Sequence, residues 1–117
     1  MKTRFVCLAN SFKEGGRCLA GIELDNKNNP KIEIGHPKWI RPICDTPHGE
    51  VPTYLVAHLE ILDIVQIDII GYPDERDYQS ENVLFDQNSL NVMISMVLAF
   101  YILPVTLSLQ KNVYMIF

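Results

Sequence analysis

Trp39 and Arg41 lie two positions apart in Lys38-Trp39-Ile40-Arg41-Pro42-Ile43, a run with the two-residue alternation of a β-strand. On a strand both side chains project from one face, with Lys38 adding positive charge beside them. An aromatic ring next to a guanidinium can stack on an unpaired base while the cation neutralises a phosphate, and each stacked base is worth about 1–3 kcal/mol. The competing use of a lone tryptophan in a small domain is to fill the core, with Arg41 flanking it outside. Three further residues fit nucleic-acid contact. Arg17 opens the strand that follows Gly15-Gly16 and can meet a phosphate. Gln79 and Asn82, in Tyr78-Gln79-Ser80-Glu81-Asn82, carry amides that present both a donor and an acceptor to base edges. The same polar stretch could instead bond backbone across a barrel seam.

Other chemistry is weaker. Gly15-Gly16-Arg17-Cys18-Leu19-Ala20-Gly21 has the glycine density of a phosphate-cradling loop but lacks the Lys-Ser/Thr pair and the following helix, so it reads as a hairpin turn. Cys44, Asp45 and His48 invite a thiol-nucleophile reading, yet no oxyanion-hole element accompanies them. No CxxC pair occurs, and the Cys and His spacings match no zinc-finger pattern. No catalytic residue, cofactor or metal is expected.

Charge is unevenly spread. The chain of 117 residues has a formal net charge of -4, but residues 1–43 hold eight Lys/Arg against four Asp/Glu, while residues 44–88 hold one Arg against ten acids. The first third is locally basic, which suits a polyanion partner better than the total does. The three cysteines follow an opening run too short and polar for a secretory signal, which points to a reducing, cytoplasmic setting.

These residues must be positioned by short strands. Residues 4–9 form an apolar run closed by a turn over 10–16, and residues 17–24 return as a hairpin partner, with Gly21 marking a bulge or a close backbone approach. Residues 31–34 alternate, and the run from Lys38 follows with Pro42 limiting it to an edge, a strand end or a bulge. Residues 51–60 fit a short helix across a barrel opening. Residues 61–70 make the clearest strand, and 78–85 the last. The expected architecture is mainly β: a small, OB-like, partly open barrel over residues 1–88, followed by an apolar helix or tail over 89–117.

That tail changes character. Val92 to Leu109 has no charged residue over 18 positions. It meets the length of a membrane span, although Asn91, Ser95, Thr106 and Ser108 lower its hydropathy. A buried helix over 90–103 stopped by Pro104, with a strand over 112–117, fits as well, and so does an extension foreign to the domain.

Taken in order, Val6-Cys7-Leu8-Ala9-Asn10-Ser11, the Gly15 to Gly21 segment, Trp39-Ile40-Arg41-Pro42, Leu62-Asp63-Ile64-Val65 and Tyr78-Gln79-Ser80-Glu81-Asn82 resemble the dual OB-containing domain family of bacterial and archaeal proteins. The resemblance covers residues 2–86 and implies paired OB-type barrels that bind nucleic acid, with no catalytic residues. Members of that family continue beyond the last motif into more polar β sequence, whereas this chain enters its apolar tail. The expected function is a non-catalytic module for single-stranded DNA or RNA. Lys2, Arg4, Lys13, Arg17, Lys38 and Arg41 would hold phosphates, and Trp39 would stack. The alternative is a protein-interaction or membrane-tethered scaffold module that self-associates or anchors through Val92 to Leu109.

Overall fold

The computed structural model of the chain describes residues 1–73 and 81–95. Strand β1 (Lys2–Lys13) outruns the expected six-residue strand because its polar second half stays extended against β2 (Gly16–Leu24), pairing Asn10 with Leu19 and Lys13 with Gly16. Only Glu14 and Gly15 turn the chain. Their φ values of 45° and 82° give the double positive-φ turn that matches the twist of a hairpin. Gly21 answers a different need. A Cβ at that position would overlap the carbonyl oxygen of Val6 and lie 2.9 Å from the Phe5 ring, so β1 crosses β2 where only glycine fits.

After β2 the chain makes an excursion, the small hairpin β3 (Ile32–Glu33) and β4 (His36–Pro37), before β5 (Trp39–Ile43) pairs with the end of β2 through Gly21↔Ile40 and Ile22↔Trp39. The short helix α1 (Thr53–Val56) supplies Val56 to the core. Asn10 Nδ2 donates to the Val56 carbonyl at 2.9 Å, which ties the helix end to β1. Strand β6 (Ile64–Gly71) pairs with β1 over Ile64–Asp68, and β7 (Asn82–Phe85) runs antiparallel to β6 and parallel to β5.

The cycle β1-β2-β5-β7-β6-β1 is complete. The barrel is thus closed where the sequence suggested a partly open one, because β1 is long enough to pair with β2 from Arg4 to Lys13 and with β6 from Lys2 to Val6. Pro42 sits inside this cycle in β5, with its side chain in the interior. Its place in the parallel pair with β7 is opposite Val83.

Beyond β7 a 3-10 turn (Gln87–Ser89) leads into β8 (Asn91–Ile94), which continues along the edge of β6 that β7 has left, pairing Gln66 with Asn91 and Ile64 with Ile94. This overturns a helix beginning at residue 90. An open strand edge offered backbone partners that apolar composition could not foretell. The remaining readings of the tail, including self-association or anchoring through Val92 to Leu109, rest mostly on residues 96–117, which lie outside the described residues. Among the described residues no helix is long and apolar enough to cross a membrane.

Two apolar groupings result. Phe5, Cys7, Leu19, Ile40, Val65, Ile67, Val83 and Phe85 fill the barrel with residues from α1 and its flanks. Val6, Ile22, Leu24 and Ile64 form a row on the outer face of β2, β1 and β6, packed by Leu8, Leu62 and Ile94. Gly21→Ala is expected to destabilise the domain by at least about 1–3 kcal/mol through overpacking against Val6, read from the midpoint of urea unfolding. An unchanged midpoint would show that β1 can move away from β2 at this crossing.

Candidate nucleic-acid interface

The alternation of β5 turns Ile40 and Pro42 into the barrel and leaves Trp39 and Arg41 facing out, with Trp39 44% exposed. The core-filling use of the tryptophan is therefore not the one adopted. Arg41 is half-buried, and its backbone N–H donates to the Glu81 carbonyl at 2.9 Å. Tyr72, just past β6, is 64% exposed. The β3–β4 hairpin brings Glu33, Ile34 and His36 to the same place, and a groove of about 560 Å³ runs between these residues, Trp39, Tyr72 and Glu81.

Ile34 is the odd residue of this groove. It stands at the tip of the hairpin with φ 51° and is almost fully solvent-exposed. A β-branched residue in the left-handed region is a strained outlier, and no packing compensates it. Asparagine is the usual occupant of this place before a glycine such as Gly35.

A second cleft, of about 380 Å³, opens at the same end of the barrel between the start of β1 and the end of β2. Lys2, Arg4 and Lys31 line it together with Thr3, Glu23 and Gln66. Among the described residues Arg4 is held by neutral partners, Nε donating to Gln66 Oε1 and Nη1 to Asn28 Oδ1, both at 3.3 Å. Its charge stays available to an anion.

The other nominated residues are not all here. Lys38 and Lys31 both reach the buried carboxylate of Glu23, at 3.5 and 2.5 Å. Lys38 thus neutralises an internal acid while still lining the groove beside Trp39. Asn82 is only 8% exposed, opposite Arg41 in the β5–β7 pair, so its amide faces the protein rather than solvent. Arg17 opens β2, five residues before the partner of Trp39, about 16 Å away at the rise of a strand. There its guanidinium lies 4.0 Å over the Phe12 ring and donates to Asn10. Gln79 lies outside the described residues. The structure instead adds Tyr72, Ile34, Glu33 and Glu81, which belong to turns or to a strand end and gave no local signal beyond exposure-prone sequence.

The cysteines stand apart from this site. Burial, and then the nearby Glu50 carboxylate, push the Cys44 thiol up to about 11. Burial likewise pushes the Cys7 thiol up to about 11. An activated nucleophile needs the opposite shift.

A closed five-stranded barrel in this strand order, with a parallel third and fifth strand and a helix between the third and fourth, is an OB-type barrel. The family model for the dual OB-containing domain matches residues 3–106, and the chain belongs to that family. No curated protein and no solved structure matches it.

Two outcomes follow from the local chemistry. Ile34→Asn should raise stability by about 1 kcal/mol by relieving the left-handed strain, measured by chemical denaturation. A loss of stability would mean that Ile34 packs more than its exposure indicates. The thiols of Cys7 and Cys44 should alkylate slowly at neutral pH. Because their folded values of about 11 lie above the ordinary 9, their contribution to stability is complete below pH 9 and is lost as pH rises towards 11. Unfolding midpoints that stay level across this window in the wild type would refute the assignment.

Proposed function

We propose that the chain is a non-catalytic module that binds single-stranded nucleic acid across one end of its barrel, in a cytoplasmic setting. The observation that carries this reading is the meeting, at one barrel end, of an exposed aromatic groove and a cleft lined by cations. Trp39 and Tyr72 offer faces on which bases stack. Lys2 and Arg4 offer charge to the phosphates two strands away. Membership of a family whose barrel type commonly binds oligonucleotides on the second and third strands and their flanking loops supports the same face. Base stacking explains tolerance of sequence, and it applies to DNA and RNA alike.

Fluorescence anisotropy with labelled single-stranded DNA and RNA tests the proposal. Affinity should fall with salt, with a slope in log–log coordinates of about -0.7 for each phosphate neutralised. Trp39→Ala should weaken binding by about 1–3 kcal/mol at every salt concentration. The double variant Lys2→Ala/Arg4→Ala should flatten the salt slope by about 1.4. No binding at low salt, or a Trp39→Ala variant that binds as the parent does, would overturn the reading.

A further inference from the structure

We infer that His36 is a conditional phosphate contact of the Trp39–Tyr72 groove, which grips a single strand more tightly when the imidazole is protonated; this rests on the nucleic-acid reading above. Glu33 and His36 are direct partners in the β3–β4 hairpin, and both line the groove. Side chains paired in this way stand on one face with their Cβ atoms about 5 Å apart. Both residues are exposed. Among the described residues the ion pairs are Met1–Asp68, Lys31–Glu23 and Lys38–Glu23, so Glu33, His36 and Glu81 enter none of them.

Titratable and charged groups reach the groove from several elements. The hairpin contributes Glu33 and His36, the approach to β5 Lys38, the residue before β7 Glu81, and the end of β6 the neutral Tyr72. Arg41 lies two residues beyond Trp39 on the same face, half-buried and outside the groove's lining. With the imidazole neutral, two carboxylates against one ammonium leave the groove one negative charge, and that ammonium is shared with the buried Glu23 at 3.5 Å. Phosphate is repelled, so the strand's backbone keeps to the Lys2–Arg4 cleft. Protonation cancels the remaining charge and makes donors of both ring nitrogens. One can serve Glu33 across the hairpin while the other serves a phosphate oxygen of the nucleotide stacked on Trp39. Histidine ordinarily changes charge between about pH 5 and pH 8. Proton and phosphate favour each other, so the extra affinity is complete on the acid side of that range and lost on the alkaline side. His48 and His58 follow the far end of β5 and line neither the groove nor the Lys2–Arg4 cleft.

The test uses the full chain and anisotropy titrations with oligo-dT, whose bases do not titrate in this range, at about pH 5.5 and about pH 7.5, either side of histidine's ordinary titration. At one low salt concentration the parent should bind about threefold to fivefold more tightly at the lower pH, the worth of one exposed ion pair. Its log–log salt slope should also be steeper there by about 0.7, for one more phosphate neutralised. His36→Gln keeps a donor without the charge, so it should lose both differences and match the parent at the higher pH. His48→Gln and His58→Gln should keep them. The amino terminus, in the cleft and paired with Asp68 at 2.7 Å, is common to every variant. His36 is exposed, and equal unfolding midpoints of parent and variant at each pH check that the fold is intact. A parent that binds alike at both values, or a pH dependence that survives in His36→Gln, overturns the role of His36 while the nucleic-acid reading stands. Binding at neither value overturns both.

Discussion

Five register pairs between β1 and β6, from Lys2↔Asp68 to Val6↔Ile64, close the sheet on itself. The rest of the surface follows from that closure. Because β1 serves β2 on one edge and β6 on the other, its first residues are brought to the same rim as the end of β2 and the start of β5. Lys2 and Arg4 thereby come within two strands of Trp39 although 35 residues or more separate them in the chain. The close crossing at Gly21 lets the strands approach this tightly, and the bulge between Cys7 and Ala9 lets β1 change direction between its two partners.

The buried Glu23 organises the same rim from within. A carboxylate removed from water requires partners, and Lys31 and Lys38 supply them from either side of the β3–β4 hairpin. Backbone bonds reinforce the arrangement: Lys31 N–H donates to the Glu23 carbonyl, and Glu23 N–H to that of Lys38, both at 2.9 Å. The excursion between β2 and β5 is fastened at both ends to one residue of β2. Its tip, with Ile34 and Glu33, is therefore presented beside Trp39 as a wall of the groove. Positive charge that composition alone would assign to a ligand is in part absorbed by this internal acid.

Local pattern carried a good share of the architecture. The alternation over 61–70 and around Trp39 specified strands and put Trp39 and Arg41 on one face, because a two-residue period leaves them no choice, but which way that face points came from the barrel. The Gly15 turn and the tight approach at Gly21 were also legible, since each is a demand that few residues other than glycine meet. Less could be read where partners come from afar. Residues 10–13 look like a turn until β2 lies beside them, and residues 91–94 look helical until the free edge of β6 is there to pair with them.

The sequence by itself determined a mainly β domain, with its strand periodicity and with Trp39 and Arg41 at same-face positions, because side-chain alternation and turn chemistry are short-range properties. Only the tertiary structure decided which charges and rings share a surface. It sent Arg17 to the far end of β2, buried Asn82 beside Arg41, bound Lys38 to Glu23, and set Tyr72, Glu33 and Glu81 around Trp39. The reason is that barrel closure and strand register join residues distant in the chain, and neither is written in any short stretch of it.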